Sequence, residues 1–471
     1  MLKTNENGNS YEHSLDHAVE FFSKAGSLFE KNISYYNNSE TALSLFQKVW
    51  ITDKETAFKL LLWLRDCRGG AGNRSGFRSI LNWLSEYGPL WISENIEWIP
   101  IVGRWDDLRS LFDTPLEKLV SDHWASEIKK NNVLAAKWAN RKDKPLKHAL
   151  YIKKEGDFRK LLASIRKNYI VEHKMCNKIY NEIDYCTVPS LAMARYTNAF
   201  NKNDPGRFNK YKNNLINGET EIKAKVLFPH DCVKTVKYGD KEIADAQFDS
   251  LPNYLENTNE RIIVISDTSG SMHFSISGKI EAVDVSQSLA LYCSAKIPST
   301  NPFYKKFIGF CSEGKFKNWE HLKFSEAVLD RKIFDGAIGS TRIDRALDLI
   351  LETAKFYNLT NNEIPTTILI VSDMQFHRGV RSRNKDLNKL TEVNIALDRW
   401  KDVGYNIPKI VYWNLAGYLG SPELESKSNV ALVSGFSPSI LKDLFSGNDM
   451  TPVKIMKRTL EKYKINIPKE T

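Results

Sequence analysis

The hydrophobic periodicity of the chain changes near residue 260, and this change divides the chain into two parts with different folds. From residue 12 to about 216, apolar residues recur every three or four positions, as in Leu45, Phe46 and Val49. That spacing is typical of amphipathic helices. After Glu260, short apolar runs such as 262–265 alternate with helical segments. Continuous apolar strands between helices predict a parallel sheet that is covered on both faces.

We therefore predict a multidomain protein: an N-terminal all-α module of HEAT-like helical hairpins over 10–216, and a C-terminal doubly wound, Rossmann-like α/β domain over 260–471. Gly218, Pro229, Gly239 and Pro252 interrupt the intervening stretch, so 217–259 is predicted to be a connector with little regular structure. The strands predicted in the α/β domain are 261–266, 307–311, 366–372, 409–414 and 430–433, and the helices are 279–296, 343–357, 387–403 and 438–445.

The composition is that of a chain with an ordinary hydrophobic core. Hydrophobic residues make up 42% of the sequence and charged residues 26%, which excludes an intrinsically disordered chain. No apolar run reaches the ~18 residues that a membrane span needs, and the first residues lack the apolar segment of a signal peptide. The six cysteines include no Cys-x-x-Cys pair. We expect a cytoplasmic protein without a membrane partner.

The excess positive charge is concentrated in one quarter of the chain. Residues 129–236 hold 23 Lys and Arg against 10 Asp and Glu, a net charge of +13, whereas the whole chain has +10. Such a region is either a surface for a polyanion, most often a nucleic acid, or an ordinary solvated surface of a lysine-rich protein. The candidate RNA-binding residues are Lys137, Arg141, Lys142, Lys144, Lys147, Lys153, Lys154, Arg159, Arg166, Lys167, Arg195 and Arg207.

Aromatic residues are interleaved with the densest part of this basic region. They are Trp138, Tyr151, Phe158 and Tyr169. Aromatic side chains stack on unpaired bases while lysine and arginine neutralise phosphates. At least half of these four are expected to be core residues instead.

Three polar loops are predicted to lie at the carboxyl edge of the sheet. They contain Asp267-Thr268-Ser269-Gly270-Ser271, Gly339-Ser340-Thr341 and Ser372-Asp373-Met374. Two carboxylates and three hydroxyl groups make an all-oxygen site of modest charge, which suits Mg²⁺ or Mn²⁺.

This pattern resembles the metal-ion-dependent adhesion site (MIDAS) of von Willebrand factor A domains. Asp-x-Ser-x-Ser is followed by a Thr and then by an Asp at a strand end. The resemblance covers 260–471 and implies that Asp267, Ser269, Ser271, Thr341 and Asp373 bind one divalent cation. It also implies that an acidic side chain of a protein partner completes the metal shell.

The order of a helical module followed by such a domain resembles the TROVE proteins, which include Ro. An uncharacterised family of relatives with the same arrangement is more similar still. Its motifs are present here as Arg65-Asp66-Cys67-Arg68-Gly69-Gly70-Ala71-Gly72, Gly103-Arg104-Trp105-Asp106-Asp107-Leu108, Ser372-Asp373-Met374-Gln375-Phe376, Tyr412-Trp413-Asn414 and Ala431-Leu432-Val433-Ser434-Gly435-Phe436-Ser437.

The Ro resemblance implies a non-enzymatic RNA-binding protein, or ribonucleoprotein component, that holds small noncoding or misfolded RNA on the helical module. The alternative is a protein-interaction scaffold that uses the metal site and the helical repeats without RNA. Arg65, Arg68 and Arg74 either contact phosphates or pair with Asp66 and Asp106.

Overall fold

The computed structural model describes most of the chain. The described residues are 2–4, 7, 9–11, 16–28, 40–167, 170–224, 227–277, 280–335, 339–377, 391–418, 421–423, 428–445 and 451–469. Within these ranges, no helix is long and apolar enough to cross a membrane. Tyr169 of the interleaved aromatics lies outside the described residues, and every candidate metal or RNA residue lies inside them.

The N-terminal part is built from helices, as the periodicity predicts. Its helices vary from 5 to 14 residues, so many are shorter than those of a regular helical repeat. They are α1 (His17–Lys24), α2 (Ala42–Thr52), α3 (Lys54–Arg65), α4 (Arg74–Tyr87), α5 (Pro89–Ser93), α6 (Trp98–Val102), α7 (Glu117–Lys129), α8 (Val133–Trp138), α9 (Lys144–Ala149), α10 (Glu155–Arg166), α11 (Val171–Cys176), α12 (Ser190–Asn203) and α13 (Pro205–Ile216).

Short 3₁₀ helices and one small strand pair complete this part. The 3₁₀ helices are Ala25–Ser27, Trp105–Leu111, Tyr180–Glu182 and Tyr185–Thr187. Near the N-terminus, β1 (Leu2–Lys3) pairs antiparallel with β2 (Asn9–Ser10).

The connector is more regular than its glycines and prolines predict. It contains two helices, α14 (Pro229–Tyr238) and α15 (Lys241–Asp249). Pro229 stands at the first position of α14, where its missing N–H costs nothing, and Gly239 ends that helix. Asp240 then caps α15 by accepting a hydrogen bond from Ile243 N at 3.1 Å. The glycine and proline residues therefore mark the ends of helices in this stretch. The helix α14 packs on the α/β domain.

The C-terminal part contains a six-stranded sheet with helices on both faces, which confirms the predicted doubly wound α/β class. The spatial order of its strands is β10-β9-β8-β3-β6-β7, and every neighbouring pair is parallel except β6 with β7. The strands are β3 (Ile262–Asp267), β6 (Lys306–Phe310), β7 (Gly314–Asn318), β8 (Thr367–Ser372), β9 (Lys409–Asn414) and β10 (Val430–Ser434).

The remaining elements surround this sheet. A second strand pair, β4 (Ser275–Ser277) with β5 (Ile280–Glu281), and the 3₁₀ helix Gly270–Met272 follow β3. The helices are α16 (Ala282–Lys296), α17 (Phe324–Leu329), α18 (Ile343–Phe356), α19 (Glu392–Asp402), α20 (Ile440–Phe445) and α21 (Pro452–Leu460). The sequence patterns missed β7, α17 and α21. β7 has three polar residues among its five, and its central Phe316 is exposed, so it lacks an apolar run.

The helical module and the α/β domain share one continuous hydrophobic core. Phe22 and Trp63 of the module belong to the same buried cluster as Trp413 and Val433 of the sheet. A smaller, separate core lies within 183–243. The basic region 129–236 is therefore supported by two different cores.

The 3₁₀ turn after α1 binds directly to the carboxyl ends of β9 and β10. Ser27 Oγ donates a hydrogen bond to Asn414 O at 2.7 Å and accepts one from Gly435 N at 3.0 Å. Gly26 lies so close to Ser434 that a Cβ on Gly26 would approach Ser434 Oγ to 2.7 Å. A side chain at this position would therefore separate the two parts.

Asn73 also binds the 3₁₀ turn that follows α1. Its buried side chain donates hydrogen bonds to Ala25 O at 3.0 Å and to Leu28 O at 2.7 Å. Its Oδ1 accepts one from Gly76 N at 3.1 Å and so caps α4. One amide thus joins α4 to the turn that meets the sheet.

Replacing Asn73 with alanine is expected to lower the free energy of unfolding by about 2 kcal/mol. It removes a helix cap, leaves Leu28 O without its described donor, and removes one of the two donors to Ala25 O. Urea denaturation of wild type and variant measures the difference. Asn82→Ala, an exposed asparagine on the same helix, is the matched control and should change stability by less than ~0.5 kcal/mol. Equal losses in both variants would contradict the assigned role of Asn73.

Candidate functional site

The parallel pairing of β3 with β8 brings two of the predicted loops together. Ser266 is opposite Val371 in this pairing, so Asp267 and Ser372 leave the sheet side by side. Ser372 Oγ donates a hydrogen bond of 2.5 Å to Asp267 Oδ2. It also accepts one from Met374 N at 3.0 Å. Ser372 therefore ties the loop after β8 to the carboxylate at the end of β3.

The loop after β3 turns its two serines toward each other. Ser269 N donates to Asp267 Oδ1 at 2.9 Å, which fixes the start of the loop. Ser269 Oγ lies 3.1 Å from Ser271 Oγ. Ser269 is fully buried, and Ser271 is half-buried. The sequence Asp-x-Ser-x-Ser thus places one carboxylate and two hydroxyl groups in one turn.

Asp373 and Thr341 come from the other two loops and are also fully buried. Asp373 Oδ1 accepts a hydrogen bond from Gln375 N at 3.0 Å. Thr341 O accepts one from His377 N at 2.8 Å, which joins the Thr341 loop to the segment that follows Asp373. The contacts therefore connect all three loops at one edge of the sheet.

The two buried carboxylates are close enough to affect each other's ionisation. Burial and the neighbouring charge of Asp373 raise the pKa of Asp267 above that of an ordinary Asp, although hydrogen bonds from Ser372 and Ser269 oppose the change. Asp344, near Thr341 in sequence, forms a bidentate ion pair with Arg342 at 2.8 and 2.7 Å instead. Asp344 is thus engaged in the first turn of α18.

The donor set fits a hard divalent cation. Within the described residues, no group of three or more His, Cys, Asp or Glu is arranged to hold a metal ion. A metal ion at this edge would therefore depend on hydroxyl oxygens together with two carboxylates. Oxygen-only ligands of this kind suit Mg²⁺ or Mn²⁺ better than Zn²⁺.

A cavity of about 290 Å³ opens beside the first loop. Thr268, the residue between Asp267 and Ser269, is part of its wall. Lys317 and Asp335 also line it and form a 2.9 Å ion pair, and the lining residue Lys315 is exposed. The remaining lining residues are Gly309, Cys311, Ser312 and Glu313.

The predicted RNA-binding residues are mostly exposed, but they do not form one uniform group. The exposed ones are Arg141, Lys142, Lys144, Lys153, Lys154, Arg159, Lys167, Arg195 and Arg207, and the half-buried ones are Lys137, Lys147 and Arg166. Three of the set pair with acids: Lys137 with Glu172 at 3.3 Å, Arg141 with Glu155 at 3.4 Å, and Arg207 with Asp204 at 3.0 Å.

Two of the predicted arginines have a structural role. Arg166 donates hydrogen bonds to Ala136 O and Ala139 O, and so holds α10 against α8. Arg207 donates to Tyr180 O at 2.9 Å and Ile183 O at 2.7 Å. Their guanidinium groups are therefore engaged within the fold, which weakens the prediction that they contact RNA.

The interleaved aromatics have different environments. Phe158 is fully buried. The guanidinium of Arg104 covers the ring of Trp138 at 4.1 Å. Tyr151 is 87% exposed, with Lys129 Nζ 5.5 Å from its ring centroid. Of the three described aromatics, Tyr151 is the one that presents its ring to solvent.

The sequence patterns missed two features. The first is Ser372, which the predicted metal site does not include, although a hydroxyl directly before a strand-end Asp is a signal for it. The second is the partner of Arg65. Its Nε lies 2.7 Å from Asp107 Oδ2, whereas Asp66 accepts hydrogen bonds from Arg68 N and Tyr463 OH. Of the two alternatives for Arg65, the structure shows a pairing with an acid, but that acid is Asp107 and not Asp66 or Asp106.

Comparisons with known proteins identify two families of unknown function along the chain. A domain of unknown function (DUF2828) matches residues 4–110 and 119–261, and another (DUF7788) matches residues 261–467. Uncharacterized protein L728 of Acanthamoeba polyphaga mimivirus is 25% identical over 99% of this chain and 88% of that protein. The crystal structure of the Deinococcus radiodurans Ro (RSR) protein aligns with 94% of this chain and 99% of that one, at 12% identity and a TM-score of 0.36.

Replacing Asp267 with asparagine is expected to stabilise the metal-free protein at neutral pH, by ~1 kcal/mol or more. Because the folded-state pKa of Asp267 is raised, the folded state binds more protons than the unfolded state. The stability that wild type gains from a protonated Asp267 is therefore lost as the pH rises above about 4, where Asp267 ionises in the unfolded state. Urea denaturation between pH 4 and 8 in the presence of a chelator measures it.

In that series, Asp402→Asn at an exposed position is the control. The Asp267 variant should gain stability over wild type as the pH rises, and the Asp402 variant should not. A constant difference between wild type and the Asp267 variant at every pH would contradict the assignment.

Proposed function

The chain belongs to the DUF2828 family, and we propose that it is a non-enzymatic RNA-binding protein with a separate metal site for a protein partner. The basic region of the helical module holds the RNA. The loops at the carboxyl edge of the sheet hold Mg²⁺ or Mn²⁺. The single observation that carries the proposal is the net charge of +13 on 129–236.

The exposure of the lysines supports RNA binding. Lys142, Lys144, Lys153 and Lys154 are all exposed, and they lie at the beginnings of two neighbouring helices, α9 and α10. Lysines in such positions can neutralise phosphates without losing an internal partner. The exposed Tyr151 ring lies between them in sequence and offers a surface on which an unpaired base can stack.

The buried carboxylates support metal binding. Two carboxylates held close together in the core repel each other, and a divalent cation removes that cost. When bound, the cation supplies an open coordination position for an acidic side chain. Asp267, Ser269, Ser271, Thr341 and Asp373 would hold it, and Ser372 would orient Asp267. The exposed Lys315 beside Thr268 favours an acidic partner as well.

The RNA proposal predicts a salt-dependent interaction that depends on these lysines. Changing Lys142, Lys144, Lys153 and Lys154 together to Glu should weaken binding to single-stranded RNA of any sequence. Each lost phosphate contact should flatten the slope of log affinity against log salt by roughly 0.7. Fluorescence anisotropy titrations at several salt concentrations measure both quantities.

The matched control makes the same charge change on the α/β domain, at the exposed residues Lys332, Lys355, Lys401 and Lys442. It should bind RNA much as wild type does, and both variants should fold. Equal weakening by the two sets would mean that net charge alone drives binding. RNA affinity in wild type no tighter than the ~10⁻⁴–10⁻⁶ M of non-specific binding would favour the protein-interaction scaffold.

The metal proposal predicts that Asp373→Ala weakens Mg²⁺ and Mn²⁺ binding at least about tenfold, since residues that only orient ligands already contribute about 10–100-fold. Titration calorimetry with each ion measures this, and Asp402→Ala is the control. Equal uptake by wild type and the Asp373 variant would argue against a metal at this edge. A partner that is captured only with Mg²⁺ present, and without RNA, would support the scaffold alternative.

A further inference from the structure

Three arginines of the helical module share two carboxylates. Asp107 is fully buried, and its two oxygens lie 2.7 Å from Arg65 Nε and 2.7 Å from Arg78 Nε. Asp106 lies 3.0 Å from nitrogens of Arg78 and Arg104. Asp107 Oδ2 also accepts a hydrogen bond from Arg104 N at 2.9 Å. Both carboxylates are therefore engaged by these three arginines.

A fourth arginine joins this cluster without an acid of its own. Arg74 is the first residue of α4, one helical turn before Arg78, so both arginines lie on the face of α4 that meets Asp106 and Asp107. In the part of the chain that the structure describes, it makes no hydrogen bond and no ion pair. The residue is partly exposed, and partial burial together with the positive charges of Arg104 and Arg65 lowers the pKa of Arg74 to about 10.

The charge of the cluster is unbalanced as a result. Three guanidinium groups contact the two carboxylates, and Arg74 adds a fourth positive charge one helical turn from Arg78, which leaves an excess of two positive charges. Like charges held together are unfavourable unless something between them carries the opposite sign. A phosphate monoester carries close to two negative charges and three acceptor oxygens at neutral pH, so it matches both the excess charge and the unused donors.

Arg104 is positioned to share such a ligand. Its guanidinium carbon lies over the Trp138 ring, at 4.1 Å from the centroid. Its Nε and one terminal nitrogen face Asp106, which leaves the other terminal nitrogen to bind elsewhere. A planar guanidinium fixed on two sides loses little freedom when it binds an oxyanion.

We propose that Arg74 and Arg104 form a binding site for a phosphate group. The group belongs either to a free phosphate compound or to the terminal phosphate of an RNA. Arg65 and Arg78 neutralise Asp106 and Asp107 and thereby position Arg104. The site does not require the proposed RNA binding by the lysines, because inorganic phosphate alone tests it.

Titration calorimetry with inorganic phosphate, on the full chain, tests the site directly. Arg74→Gln should weaken phosphate binding at least about tenfold, since it removes a charge-assisted contact. Arg74→Lys keeps the charge but not the paired donors, so it should bind with intermediate affinity. The control is Arg331→Gln, which removes an exposed arginine from the α/β domain and should bind as wild type does.

The stability of the same variants separates a binding role from a structural one. Arg74→Gln removes a charge that is repelled by its neighbours and that makes no described hydrogen bond, so its melting temperature should equal or exceed that of wild type without phosphate. Phosphate should raise the melting temperature of wild type and not of the variant. A lower melting temperature without phosphate would mean that Arg74 supports the fold, and would overturn the proposal.

Two RNA oligonucleotides of one sequence, with a 5′-phosphate or a 5′-hydroxyl, identify the source of the ligand. Tighter binding of the phosphorylated RNA, abolished by Arg74→Gln, assigns the site to an RNA end. Saturable binding of inorganic phosphate with no preference between the RNAs assigns it to a free phosphate compound.

The variant with four lysines changed to Glu should keep its phosphate binding, so failure of the RNA proposal leaves this site testable. Equal phosphate affinity in wild type and Arg74→Gln, or an equal loss in Arg331→Gln, would overturn the proposal.

Discussion

The in-register parallel pairing of β3 with β8 is the constraint on which the candidate metal site depends. It places Asp267 beside Ser372, and the 2.5 Å hydrogen bond between them joins two loops that are 105 residues apart in sequence. A shift of one residue would turn Asp267 to the other face of the sheet. Both strands are buried along their whole length, so packing on both faces maintains this register. The geometry of the site is therefore a property of the sheet.

The second constraint is the junction between the two parts of the chain. The turn after α1 reaches the carboxyl ends of β9 and β10 through Ser27, and Asn73 ties the same turn to α4. Because one hydrophobic core continues across this junction, the module and the sheet stabilise each other. The motif 65–72 and the motif 431–437 meet at this junction. Gly435 lies so close to Ala71 that a Cβ on Gly435 would be 3.0 Å from Ala71 Cα. Small residues in both motifs are explained by this close approach.

The positive charges of the chain serve two physical purposes that local sequence does not distinguish. Some arginines support the fold. Arg65 donates a hydrogen bond to a buried carboxylate, whereas Arg166 and Arg207 donate to backbone carbonyl groups. Lys142 and Arg74 are instead at least partly exposed. The same net charge thus includes residues whose removal would cost stability and residues that remain available to a polyanion. A binding surface is defined by the second group.

The fold class, the strand 409–414 and the set of polar loops could be predicted from sequence, because they depend on local periodicity and on which residue follows a strand. The connector helices and β7 could not, since glycine and proline mark helix ends as well as loops, and an exposed edge strand needs no apolar run. The roles of individual arginines also depended on the tertiary structure. Arg65 meets Asp107 across 42 residues and Arg166 meets Ala136 across 30, and a hydrogen bond depends on distance in space, not along the chain.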